Sequence, residues 1–136
     1  MQNNKKIFLG GTCNESIWRD ILIPKLKIDY FNPVVDDWNA EAQKRELHER
    51  ETCDWVLYWL TPKMTGVYAI AEVVDDSNKR PTKAIFGYFI RDGDKVFSEG
   101  QIRSLQAVGA MIESNGAYWC RSLEEVAQLV NYERPQ

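Results

Sequence analysis

The sequence predicts one α/β domain over residues 1–136, built on a five-stranded, mostly parallel sheet with helices on both faces. Three observations predict it. Apolar runs of strand length alternate with helix-length segments from start to finish. Two of the runs, WVLYWL (55–60) and AIFGYFI (84–90), are apolar without alternation, as strands covered on both faces require. The chain of 136 residues is long enough for one core and too short for two, and no repeat, linker or low-complexity tract divides it.

Each element has a local reason. The first strand, Ile7 to Leu9, ends in Gly10-Gly11. Thr12 and Glu15 have capping-box spacing, with Asn14 and Ser16 as alternative caps, for a helix over SIWRDILIPKL (16–26). There Ile17/Ile21 and Trp18/Leu22 stand four apart, on one helix face. Pro24, which lacks a backbone donor, kinks or ends that helix. IDYF (28–31) is the second strand and stops at Asn32-Pro33. PVVDDWN is a loop, and 40–53 a polar helix in which Glu41/Arg45 and Glu46/Arg50 have the favourable order, worth ~0.2–0.5 kcal/mol per pair. The third strand, 55–60, leads through TPKMTGV to a helix from about Tyr68 to Asp76. After the fourth strand, 84–90, Arg91-Asp92-Gly93-Asp94 signals a turn. Ser98 and Gln101 form a capping box for a helix through Met111, closed by Asn115-Gly116. AYWC (117–120) is the last strand, and Ser122 with Glu125 caps the final helix.

Composition removes several classes of function. The net charge is −3 and no Lys/Arg block exceeds two residues, which argues against a surface for duplex nucleic acid. The three cysteines form no CxxC pair and point to neither a disulfide framework nor a zinc site. One histidine, His48, on a solvated helix leaves no His-based metal site and no Ser-His-Asp triad. MQNNKKIFLGG has no apolar stretch long enough for a signal peptide, and no segment approaches a membrane span. The expectation is a cytoplasmic protein that needs no metal or cofactor and acts on a small molecule.

In open α/β sheets ligands lie beyond the carboxyl ends of the strands, where strand order reverses. That rule selects three loops: GGTCN, NPVVDDW and TPKMTGVYAIAE. Gly10-Gly11-Thr12 lets backbone approach a ligand and leads towards a helix amino terminus, where anions are stabilised. It lacks the GxGxxG and GK[ST] patterns, so a tight turn without a ligand fits equally. Asn32, Asp36, Asp37 and Trp38 put polar groups and a flat aromatic in one loop. With Trp18 and Tyr68 these aromatics offer stacking faces for a nucleobase, while Trp55 and Trp59 read as core. Glu72 and Asp37 make a possible carboxylate pair for glycosidic chemistry, which retaining enzymes hold about 5–5.5 Å apart. On local spacing alone Glu72 also fits an ordinary surface acid.

FLGGTCNESIWRD, DYFNPVVDDW and ETCDWVLYWLTPKMTGVYAIAEVV resemble, in order and spacing, the nucleoside 2-deoxyribosyltransferase-like family, over roughly Lys6 to Tyr88. The resemblance implies a flavodoxin-like sheet and a retaining, two-step transfer. A glutamate on the helix after the third strand attacks C1′ of a 2′-deoxynucleoside, and the sugar ester is then taken by a second base or by water. Glu72 matches that nucleophile, and its place near a helix start would favour the anion. Asp37 is the residue expected to hold or protonate the leaving base. Gly10, Gly11, Thr12, Asn32, Pro33 and Trp38 would shape the pocket. The wider family often completes each site with a neighbouring subunit, which implies a homo-oligomer. The chain departs from the better-known transferases at Lys63-Met64-Thr65-Gly66, where they carry an aspartate and small residues, so base-recognition residues are not carried over. Two other functions stay open: hydrolysis of nucleosides or nucleoside 5′-monophosphates, and nucleotide binding without catalysis.

Overall fold

The run WVLYWL forms a strand (β3, Trp55–Leu60) in which every residue is buried. With no charged side chain on either side, it can only lie in the middle of a sheet covered twice. A computed structural model describes residues 5–13, 15–34 and 39–133 and places it there. The first strand (β1, Lys6–Gly11) pairs with one edge of β3 and the fourth run (β4, Ala84–Tyr88) with the other, both parallel. The second strand (β2, Asp29–Phe31) flanks β1 and the last (β7, Tyr118–Trp119) flanks β4, so the order is β2-β1-β3-β4-β7.

Alternate side chains of the strands feed two separate layers. Ile7, Leu9, Trp55, Leu57, Trp59 and Ile85 pack under the first helix (α1, Trp18–Leu22) and the last (α5, Leu123–Tyr132). Phe8, Val56, Tyr58, Leu60 and Phe86 face the third and fourth helices (α3, Tyr68–Lys79; α4, Glu99–Ser114). The polar helix (α2, Ala40–Thr52) lies on this second face, joined to α3 through Arg50. Small residues let the layers close. A Cβ at Gly109 of α4 would stand 2.4 Å from the Trp119 ring. Gly11 takes φ +115 and would press a Cβ within 2.1 Å of the Trp59 carbonyl oxygen.

Several elements differ from expectation. The helix predicted over 16–26 shrinks to five α-helical residues, followed by a 3-10 turn at Ile23–Lys25. Pro24 forbids the continuing hydrogen bond, and Ile17 at the cap gives no side-chain bond. Thr12 does not cap it. Its hydroxyl instead accepts from the Thr61 N–H at 2.9 Å, tying the end of β1 to the end of β3. α3 runs on to Lys79, beyond the predicted Asp76. The fourth strand stops at Tyr88, and the predicted turn closes a two-stranded antiparallel hairpin (β5, Arg91–Asp92; β6, Lys95–Val96) with Gly93 at φ +63. The capping box of Ser98 and Gln101 forms, and Ser122 caps α5 through the Glu125 N–H. Among the described residues, no helix is long and apolar enough to cross a membrane.

Candidate active site

Strand order reverses between β1 and β3, because the chain adds β2 on one side and then returns to add β3 on the other. At that point a cleft of about 370 Å³ opens beyond the carboxyl ends of both strands. Gly10, Gly11 and Thr12 form one wall, Pro33 and Val34 after β2 another, and Met64, Gly66, Tyr68 and Ala69 the side nearest α3. Phe8, Tyr58 and Leu60 make an apolar floor. Gly10 allows this closeness, since a Cβ there would lie 2.8 Å from the Phe8 and Tyr58 rings.

Glu72 stands in this cleft, its side chain 13% exposed. It is the fifth residue of α3, past the first turn, where the pull of a helix terminus on an anion has faded. The cation that replaces the helix terminus is Arg50, whose Nη1 lies 3.4 Å from Glu72 Oε2. Arg50 is itself fixed by Asp76, a fully buried carboxylate one helical turn beyond Glu72. Asp76 accepts from Arg50 Nη2 at 3.0 Å, from the Tyr58 hydroxyl at 2.6 Å, and from Arg80. A buried carboxylate with three donors is a satisfied one, so this cluster is an anchor.

A second carboxyl enters the cleft from α2. Glu46 lines the same cleft as Glu72. Burial raises both groups above the ordinary carboxyl range; for Glu72 the neighbouring Glu46 adds to the rise and Arg50 opposes it. The pair therefore retains a proton where isolated glutamates have lost theirs.

Of the residues expected at the site, Gly10, Gly11, Thr12, Pro33, Tyr68 and Glu72 line the cleft. Asp37 and Trp38 lie outside the described residues, as does Asp36. Trp18 needs correction as a stacking face. It is completely buried in the other layer, with its indole N–H donating to the Thr12 carbonyl at 2.8 Å. Asn32 is exposed on the loop, its side-chain oxygen taken by the Val34 N–H at 3.1 Å, and does not line the cleft. The glycine turn does not open a helix either, since α1 begins only at Trp18. Glu46, Arg50 and Arg19 were missed. Arg19 lines the cleft while donating to the carbonyls of Leu9 and Thr12 and lying over the Trp18 ring at 4.3 Å. The spacing of Glu46 and Arg50 suggested a local pair on α2, but Arg50 turns to α3 instead. Among the described residues, no group of side chains has the make-up of a metal site.

The fold and the cleft thus define an α/β protein with its carboxylates gathered at the switch point of a parallel sheet. A family profile described as nucleoside 2-deoxyribosyltransferase-like matches residues 4–100. The chain belongs to that family. No curated protein matches the chain significantly.

Proposed function

We propose that the cleft breaks the N-glycosidic bond of a 2′-deoxynucleoside and passes the sugar to a second base through an ester of Glu72. The observation that carries this reading is Glu72 itself: a shielded carboxyl in an apolar-floored cleft, held at 3.4 Å by an anchored arginine. In the first step a Glu72 oxygen forms a bond to C1′ while the C1′–N bond breaks, and its electron pair leaves on the base. Asp37, which follows β2 in the sequence, is the residue proposed to give that base its proton. In the second step a new base attacks C1′ and gives its N–H proton to Asp37, the ester bond breaks, and the Glu72 carboxylate is restored. Covalent capture divides one difficult displacement into two easier ones. Membership of the family supports this class of chemistry.

Hydrolysis of a nucleoside 5′-monophosphate is the second reading, and Arg19 favours it. Among the described residues its buried guanidinium bonds only to carbonyl oxygens, leaving a positive charge beside the glycine turn to which a phosphate would be attracted.

One experiment separates these readings. The four common 2′-deoxynucleosides and their 5′-monophosphates are each incubated with wild type and with Glu72→Gln, with and without a free acceptor base. A new nucleoside formed only with acceptor supports transfer; free sugar or sugar phosphate in both tubes supports hydrolysis. Intact-mass measurement of wild type should find a sugar adduct at Glu72, absent from the variant. Undiminished turnover by Glu72→Gln would falsify both readings.

A further inference from the structure

Arg50 of α2 divides its guanidinium between two acids of α3. Nε lies 3.4 Å from Asp76 Oδ2 and Nη2 lies 3.0 Å from Asp76 Oδ1, so one edge of the fork is committed to a fully buried carboxylate. The remaining nitrogen, Nη1, stands 3.4 Å from Oε2 of Glu72, and the two side chains are only 10% and 13% exposed. Asp76 is held in turn by the Tyr58 hydroxyl at 2.6 Å and by Arg80, which fixes the guanidinium in place. Asp75, 3.7 Å from Nη2, is shared with Lys79. Glu46, Cys13 and Arg19 line the same cleft, and Arg19 gives its N–H groups to the Leu9 and Thr12 carbonyls. Arg50 therefore keeps its position whether or not Glu72 carries a charge.

We propose that Arg50 is a catalytic residue of the second step, in which it stabilises the Glu72 carboxylate as that group leaves the sugar. The inference rests on Glu72 forming the ester, and it holds whether a base or water takes the sugar. Ester formation removes the negative charge of Glu72, while Arg50 stays charged and paired with Asp76. When the acceptor bonds to C1′, the C1′–O bond breaks and its electron pair returns to Glu72. The acceptor gives its N–H or O–H proton to Asp37, as proposed above. A cation already fixed at 3.4 Å meets the charge as it develops, and in so shielded a place the attraction is stronger than in water. The two steps feel this cation oppositely. In the first, Arg50 stabilises the starting carboxylate more than the transition state, so it does not hasten attack by an ionised Glu72. In the second, its attraction is stronger in the transition state than in the ester, which is the condition for acceleration. It also keeps Glu72 ionised to lower pH, because a neighbouring positive charge favours the anion. With Oε2 facing Arg50, the other carboxylate oxygen is the one left to bond C1′.

The two steps can be timed apart. Wild type and Arg50→Met are mixed with the donor that wild type turns over best in the panel above, without acceptor base, and release of the first base is followed. Decay of the sugar adduct is then read by rapid-quench intact mass, in water alone and after acceptor base is added. On each protein's alkaline plateau, the first step of Arg50→Met should be no slower than that of wild type. Decay of its adduct should slow by about 10- to 100-fold, the worth of one contact with a charged group. The acid limb of the first step should move to higher pH, since the cation that favours the carboxylate is gone. Arg50→Gln, which still offers Asp76 an N–H without the charge, should behave alike and carries the test if Arg50→Met does not fold. A residue that only supported the fold would slow both steps or neither. The proposal is overturned if the adduct of the folded variant decays as fast as that of wild type. It is equally overturned if the first step slows as much as the second, or if the acid limb stays in place. If wild type forms no adduct, or if Glu72→Gln turns over, the failure lies in the nucleophile assignment instead.

Discussion

Glu72 burdens the fold in the ionised state that the proposed chemistry needs. Its carboxyl is pushed up to about 7, by burial first and by Glu46 second. The folded protein therefore binds this proton more tightly than the unfolded chain, whose glutamates titrate near ~4.3. The resulting stabilisation is complete below the unfolded value and is lost as the pH rises through about 7. Glu72→Gln, which stays neutral throughout, should melt near wild type in acid and above it at alkaline pH. A variant less stable than wild type at alkaline pH would mean that Arg50 fully compensates the buried charge. Glu72 was legible from its position after the third strand together with the family resemblance. Glu46 was not, because four-residue spacing to Arg50 on the same helix suggested a local pair, and only the packing of α2 against α3 shows that Arg50 turns to Glu72 and Asp76. Trp18 was misread for a related reason. Its four-residue spacing from Leu22 marks a core stripe, which its complete burial bears out.

At the scale of elements, the small hairpin after β4 acts as a clamp on the cleft. Asp92 of β5 accepts from the Ser16 hydroxyl at 2.6 Å and lies 3.9 Å from Lys63 Nζ. Lys63 also donates to the Glu15 carbonyl at 3.3 Å. The hairpin thereby holds together the loop after β1 and the loop after β3, both of which border the cleft. Asp92→Ala should raise KM about 2- to 10-fold, the range of one net hydrogen bond, with a smaller effect on kcat. If steady-state kinetics show kcat falling while KM stays constant, the hairpin is not positioning the binding walls. The strands were legible because uninterrupted apolar runs bounded by Gly, Pro and Asn have few other solutions. The hairpin was legible only as a turn, since two-residue strands carry no period. α1 was overestimated because its apolar stripe continues through Ile21 and Leu22 while the backbone cannot continue past Pro24 as an α-helix.

Across the whole molecule, two apolar layers share a single sheet, and alternate residues of β3 supply the two. Trp55, Leu57 and Trp59 belong to one layer, Val56, Tyr58 and Leu60 to the other. Neither layer can open without uncovering the strand that closes the other, so unfolding should be one cooperative transition. Tryptophan fluorescence reports chiefly the layer holding Trp18, Trp55 and Trp59, whereas far-UV circular dichroism reports all helices. The two signals should coincide through a urea titration. Separate midpoints would show that the α1–α5 layer melts independently. The parallel architecture was legible at this scale, and so was the ligand-binding edge, because both follow from the alternation of elements and from strand-order geometry. The contents of the cleft were less so, because they depend on which helices share a face.

The contact between α4 and the edge strand constrains how the chain can vary. Gly109 brings the helix down onto the indole of Trp119, within the depth of a missing methyl group. Alanine at 109 by itself drives carbon into the ring, so this substitution is admissible only after 119 has taken a smaller side chain. The two positions form an ordered couple, in which the large partner must yield before the small one can grow.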